Sequence, residues 1–234
     1  MSDMHIHKEE HFLKNTLSTR ELFRLLQDAA GAHCEEIGLG AAVTGPKGLM
    51  WVVVRQLIEL ERWPDKGETL CLDTWPGSTR HMFYPRFYLL RDAQGHILGR
   101  SSAMWTLVDR QTRKMISPQV YGLELEGLVT GDEARMPTAP AKLPTDCAAE
   151  YVVAADVLDD NGHMNNTRYY DLAERMFGDA ISGKHLCRAA TEYVSEAREG
   201  DKMSLRWGRD GDRYYIAGTA EEDKVIFRMS LEYR

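Results

Sequence analysis

A helical pattern followed by four strand-like runs occurs twice in this chain, and that repetition limits the folds open to it more than any other feature. The first copy opens on Ser18-Thr19-Arg20-Glu21, a capping-box pattern. Leu22, Leu25, Leu26, Ala29, Ala30, His33, Cys34 and Ile37 then follow helical spacing as far as Gly38-Leu39-Gly40. Strand-like runs come next at 49–60, 69–75, 81–91 and 97–108, with turn signals at Asp65-Lys66-Gly67, Gly77-Ser78 and residues 92–95. In the second copy, residues 151–158 alternate as a strand. A helix from about Asn166 sets Tyr169, Leu172, Ala173, Met176, Phe177 and Ala180 on one face, and strand-like runs follow at 186–194, 202–207, 214–219 and 225–231. Glu59 and Gly67 recur as Glu192 and Gly200, both at an offset of 133 residues. A long helix buries its apolar stripe on an antiparallel sheet, and two such units side by side hide one edge strand of each. The pattern predicts an α+β chain of two units, residues 1–135 and 148–234. They are joined by a linker at 136–147, part of a stretch from 118 to 146 with prolines at 118, 137, 140 and 144.

Composition narrows the function. A 43% hydrophobic fraction supports a real core. The net charge of −7, with acid exceeding base in both halves, argues against nucleic acid as a partner. Cys34, Cys71, Cys147 and Cys187 form no CxxC pair and no metal spacing. His5, His7 and His11 cluster in a polar N-terminal segment without cysteines or a spaced carboxylate set, so no metal is expected. The start of the chain has no apolar core like that of a secretory signal, and no apolar run approaches a membrane span. The expectation is a cytoplasmic protein without membrane insertion and without a cofactor.

The chemistry concentrates in Asp159-Asp160-Asn161-Gly162-His163-Met164-Asn165-Asn166, just before the second helix. An imidazole titrates near neutrality and can take or relay a proton. An amide can orient water or donate to an oxyanion, and a helix N-terminus presents free N–H groups. The segment is also an ordinary polar turn. With His163 and the Asn pair included, it points to a hydrolytic or acyl-handling enzyme.

The order Asp-x-Asn-x-His-x-Asn-Asn, with Thr191-Glu192-Tyr193-Val194-Ser195-Glu196 further on, resembles the acyl-ACP thioesterases of plants and bacteria. The first half agrees through Met50-Trp51-Val52-Val53, 58–64, Asp73-Thr74-Trp75, Arg91-Asp92, 105–109 and Thr112-Arg113-Lys114. The resemblance implies a double hotdog fold, with catalysis in the second unit and the acyl chain held in the first. It places the catalytic groups at Asp159, Asn161, His163 and Glu196. Plant members carry a cysteine directly after the glutamate, where this chain has Ala197. That favours attack by water over a covalent acyl-enzyme. The implied partner is acyl carrier protein bearing a fatty acyl thioester. Arg110, Arg113, Lys114, Lys184 and Arg188 are candidates for docking it; the turn 110–114 also reads as a plain solvated hairpin.

Met50, Trp51, Met82, Phe83, Met104 and Trp105 are the expected lining of the acyl pocket, since such pockets are largely apolar and methionine repacks readily. Trp63 stands at the repeat position of Glu196, which fits a first unit without chemistry. An acyl-CoA thioesterase, a non-catalytic acyl-binding hotdog and a hotdog dehydratase remain open. So do chain length, the roles of His163 and Glu196, and the oligomeric state, a homodimer included.

Overall fold

The capping box starts the first helix as the sequence predicts. In the computed structural model, which describes residues 4–141, 145 and 147–234, the Ser18 hydroxyl accepts from Glu21 N–H at 3.2 Å. The Glu21 carboxylate takes Ser18 N–H at 2.9 Å in return. Helix α1 (Thr19–Glu36) runs from there, burying Leu22, Phe23, Leu26, Ala29, Ala30 and His33. It ends where Gly38 turns left-handed at φ 74°. Two one-turn helices, α2 (Ala41–Thr44) and α3 (Pro118–Tyr121), decorate the loops. Helix α4 is Arg168–Phe177.

Among the described residues ten strands form one antiparallel sheet: β1 (His7–Phe12), β2 (Leu49–Leu60), β3 (Thr69–Pro76), β4 (Phe83–Arg91), β5 (Ile97–Asp109), β6 (Cys147–Val152), β7 (Leu186–Tyr193), β8 (Lys202–Asp210), β9 (Arg213–Thr219) and β10 (Val225–Tyr233). Their order is β1-β3-β4-β5-β2-β7-β10-β9-β8-β6. Helices α1 and α4 share one face of it. Phe23 and Tyr170 stack with ring centroids 3.9 Å apart, and Arg20 meets Asp171 at 3.1 Å. One core runs through both halves. Among the described residues no helix is long and apolar enough to cross a membrane.

The halves join where β2 pairs with β7. Arg55 stands opposite Glu192 and Glu59 opposite Arg188. Both form ion pairs, at 2.8 Å and 3.4 Å. Moving Arg55 and Glu59 along by the repeat offset gives Arg188 and Glu192, so the junction maps onto itself when the halves are exchanged. Glu192 also accepts from Arg228 at 3.2 Å, which leaves it buried and fully engaged.

The connection after β5 does not hang free. Leu128 and Met136 pack on Trp75, Phe87 and Leu89, on the face of the sheet away from the helices. Leu128 N–H reaches Pro76 O at 2.9 Å and the Ser102 hydroxyl donates to Arg135 O. A Cβ on Gly127 would lie 2.1 Å from the Gly77 carbonyl carbon, so only glycine lets these backbones cross so closely. Residues 142–144 and 146 of the expected linker lie outside the described residues.

The structure departs from the sequence reading in four places. The polar segment His7–Phe12 is strand β1, pairing with β3 at the sheet edge, where alternating exposure suits polar residues. The strand expected over 151–158 is Cys147–Val152, and Ala155–Val157 forms a short 3-10 turn instead. Helix α4 starts at Arg168, two residues late. Ala180 falls beyond it, exposed in the 3-10 turn Gly178–Ile181, because Gly178 closes the helix.

Candidate active site

The segment before α4 is a tight polar hairpin built by Asp159. Its carboxylate accepts the backbone N–H of Asn161 at 2.9 Å and of His163 at 3.2 Å. Its own N–H donates to His163 O at 2.7 Å. Gly162 takes φ 76° at the bend, a conformation L side chains rarely adopt. Met164 N–H then donates to Ala197 O at 2.8 Å, which ties the hairpin to the segment after β7. This tie brings His163 and Glu196 together, although 33 residues separate them in the chain.

His163 Nε2 lies 3.1 Å from Glu196 Oε2. The other oxygen of Glu196 takes Arg113 Nη1 at 3.1 Å, and Arg198 Nη2 approaches Oε2 at 3.7 Å. His163 is buried, and burial holds its imidazole below the ordinary histidine value. Glu196 and Asp159 act against that shift, whereas Arg113 and Arg198 reinforce it. The ring is therefore neutral at pH 7 and able to accept a proton.

Asn161 is exposed on the hairpin and faces the same cavity as His163 and Glu196. The helix terminus is less available than its sequence suggests. Asn165 Oδ1 takes Thr167 N–H at 2.9 Å, and Asn165 O takes Arg168 N–H at 2.9 Å.

The cavity holds about 540 Å³. Asp159, Asn161, His163 and Glu196 line one side, while Met50, Trp51, Val53, Val108 and Met115 come from the first half. Arg198 and Lys224 also line it. A second cavity of about 590 Å³ lies between α1 and the first-half sheet, lined by Ala30, Leu39, Tyr84, Arg86 and Trp105. Trp51 borders both cavities, and Asp160 of the hairpin reaches the second.

Of the six residues expected to line an acyl pocket, the structure puts Met50, Trp51 and Trp105 on these cavities. Met82, Phe83 and Met104 line neither. Phe83 and Met104 stand on the sheet face opposite their neighbours Tyr84 and Trp105, and Met82 is exposed before β4. Of the docking candidates, Arg113 is bound to Glu196 and Arg188 to the β2–β7 junction. Arg113 is the site residue that sequence reasoning missed as such. The basic turn was visible, but not its reach across to Glu196.

Among the described residues, one group could offer three donor atoms to a cation: His5, His33 and Glu36, with those atoms within 4.8 Å of one another. The tautomer of His33 opposes it. Arg86 Nη1 sits 3.1 Å from His33 Nδ1, and a guanidinium only donates, so Nδ1 accepts. Burial holds His33 down to about 3, so the ring is neutral and Nε2 carries the hydrogen. A metal-bound imidazole needs the reverse arrangement.

Two bodies of likeness bear on what this molecule is. The chain belongs to the acyl-ACP thioesterase family: its residues 1–119 match the family model for the acyl-ACP thioesterase N-terminal domain. A palmitoyl-acyl carrier protein thioesterase of Gossypium hirsutum is 30% identical over 170 residues, covering 66% of this chain and 41% of that protein. The crystal structure of a 12:0-ACP thioesterase from Umbellularia californica matches with a TM-score of 0.83 at 20% identity, over 98% of this chain and 97% of the other. An acyl-ACP thioesterase from Bacteroides thetaiotaomicron gives 0.80 at 21% identity, over 98% of each chain. These likenesses establish the double hotdog fold. The chain spans about half the length of the curated relatives it matches, 48%, 41% and 53% of the first three.

Proposed function

We propose that the chain hydrolyses fatty acyl thioesters carried on acyl carrier protein, releasing the free acid and the carrier's thiol. The observation that carries this reading is the meeting of His163 and Glu196 at 3.1 Å on the wall of a cavity to which the first half contributes Met50, Trp51, Val53 and Val108. A base and its orienting carboxylate beside an apolar slot suit a water attacking a carbonyl on a lipid chain.

In this mechanism Glu196, fixed by Arg113 and Arg198, accepts from His163 Nε2–H and sets the tautomer. The other ring nitrogen takes a proton from water. The hydroxide adds to the thioester carbonyl, and the oxyanion is met by the Asn161 amide. The C–S bond then breaks, and the sulfur leaves with the proton from His163. Asp159 acts as a positioning residue, since its carboxylate is spent on the hairpin N–H groups. Among the described residues none of the cysteines lines this cavity, and the residue after Glu196 is the buried Ala197, which supports water over a thiol as the nucleophile. The first half supplies the slot for the chain, entered past Trp51. Arg198 and Lys224 offer cations to the phosphate of the pantetheine arm.

Thiol release from acyl-ACP tests this. His163→Ala should lower kcat about 10²–10⁴-fold with an unchanged circular dichroism spectrum. Absence of thiol release by the unmodified chain on every acyl-ACP tried would refute the reading. The same phosphate would be offered by an acyl-CoA, so competition between the two thioesters decides which carrier is preferred.

A further inference from the structure

Several hydrogen-bond donors on the wall of the first cavity are already spent. Trp51 Nε1–H goes to Leu39 O at 2.8 Å, the Thr106 hydroxyl to Met82 O at 2.8 Å and the Tyr193 hydroxyl to Asn166 O at 3.1 Å. Arg113 and Arg198 stand against Glu196. Of the uncommitted donors among the described lining residues, Asn161 and Lys224 are exposed, and Asn166 and Ser195 are half-buried. Tyr169 is the one that is buried, at 2% exposure. A donor shielded from water stabilises a developing negative charge far more than one that water surrounds.

Tyr169 belongs to the first turn of α4, six residues after His163. Its ring is wedged against Phe227, with centroids 4.5 Å apart, and against Tyr193 at 5.7 Å, so it is held in place before any ligand arrives. Its hydroxyl makes no hydrogen bond within the described residues, yet it is not one of the polar atoms sealed into the core. The cavity that Tyr169 lines is therefore the space left for a partner. Burial pushes the phenol well above its usual range, and Tyr151, Asp159 and Asp201 add to that, so it keeps its hydrogen throughout the neutral range. Neither aspartate is free to accept it. Asp159 takes the N–H groups of Asn161 and His163, and Asp201 takes Arg198 N–H at 2.8 Å. A buried hydroxyl without a partner costs free energy, and a ligand oxygen in the cavity would remove that cost.

We propose that Tyr169 is a further catalytic residue, whose hydroxyl donates a hydrogen bond to the thioester oxygen and to the oxyanion formed from it. This rests on the thioesterase reading above. No proton is transferred from the phenol: the oxygen gains charge as water adds and gives it up as the C–S bond breaks, and the O–H stays with Tyr169 throughout. Asn161 meets the same oxygen from the wet side of the cavity, and Tyr169 from the dry side.

Tyr169→Phe keeps the ring and removes the hydroxyl alone. With the full chain and acyl-ACP, kcat should fall about 10²–10³-fold, the scale of one lost oxyanion donor, with KM little changed. A trifluoromethyl ketone analogue of the acyl-pantetheine thioester, whose hydrate has the shape of the tetrahedral adduct, should lose affinity by a like factor. An alkyl thioether of pantetheine, which has no carbonyl, should bind both enzymes alike. Tm should hold or rise, because the deleted hydroxyl has no partner in the fold. A normal kcat in the variant overturns the inference. So does an equal loss of affinity for ketone and thioether, or a fall in Tm that accompanies the loss of kcat, since either makes the hydroxyl structural. No thiol release by the unmodified chain on any acyl-ACP defeats the thioesterase reading itself, whereas an active parent with a fully active Tyr169→Phe variant defeats this inference alone.

Discussion

Glu196→Gln isolates what the carboxylate does for His163. Glutamine keeps the length and one oxygen that can accept from Nε2–H, and it removes the charge. The contact is 3.1 Å. Coulomb's law in a dry interior would make it worth many kcal/mol, but the Glu196 side chain is 32% exposed, so water screens it. The appropriate scale is a hydrogen bond to a charged group, about 1.5–3 kcal/mol. Lost at the transition state, where the imidazole becomes cationic, that amounts to about 10- to 150-fold in kcat/KM. The pH profile gives a second readout. Burial holds the His163 value down and Glu196 pulls it up. Removing Glu196 should move the acidic limb of kcat/KM to still lower pH. Arg113→Met removes a group that holds the value down, so its limb should move the opposite way. A steady-state series of thiol release across pH measures both. A Glu196→Gln enzyme of normal rate, or one whose acidic limb rises, would show that Glu196 does not act on the imidazole as described.

Three further outcomes are expected. Glu192→Gln at the β2–β7 junction leaves Arg55 and Arg228 without their carboxylate, at a cost of about 1.5–3 kcal/mol. That should lower Tm by roughly 3–12 °C in a scanning calorimeter, and an unchanged Tm would mean that strand pairing alone holds the halves. Gly31 lies within α1 beside the second cavity, with open space where a Cβ would stand. Gly31→Leu should raise Tm through helix propensity, by about 1 kcal/mol in stability, and shorten the preferred acyl chain at about 0.8 kcal/mol per displaced methylene. An unaltered chain-length profile would place the tail elsewhere. His33 has a value near 3 in the fold against 6.5 for an unperturbed imidazole, so the unfolded chain binds its proton first. Its contribution is therefore fully present above about pH 6.5 and is lost as pH falls from there toward 3. His33→Gln, which keeps an acceptor for Arg86, should flatten that part of a Tm-against-pH curve.

Local signals carried much of this architecture. The capping box at Ser18 and the apolar spacing of α1 depend on residues within a few positions, and they place the helix correctly. The runs of β2 to β5 were legible for the same reason. Strand β1 was not, because His7-Lys8-Glu9-Glu10-His11 is a polar run without an apolar face and owes its conformation to pairing with β3. At the site, Asp159, Asn161 and His163 announce themselves by crowding into one segment. Glu196 needed the family register, since one glutamate in a strand-end loop carries no signal of its own. Arg113 was illegible as a site residue because its role comes from a contact across 83 positions, which no local pattern encodes. The face of the sheet mattered too. Met104 and Trp105 are neighbours in sequence, yet the pleat sends only Trp105 to the cavity side.

The self-matching junction of Arg55 with Glu192 and Glu59 with Arg188 has a wider consequence. It is the arrangement two identical subunits would form across a twofold axis, where each patch must complement itself. In such a pair every substitution appears twice, once in each partner, and a residue useful on one side must be tolerable on the other. Covalent joining lifts that constraint while leaving the twofold contact in place. One position can then hold Glu196 within reach of an imidazole, while its counterpart, Trp63, is buried and donates its indole N–H to Leu17 O. Linkage lets the halves specialise without weakening the seam between them.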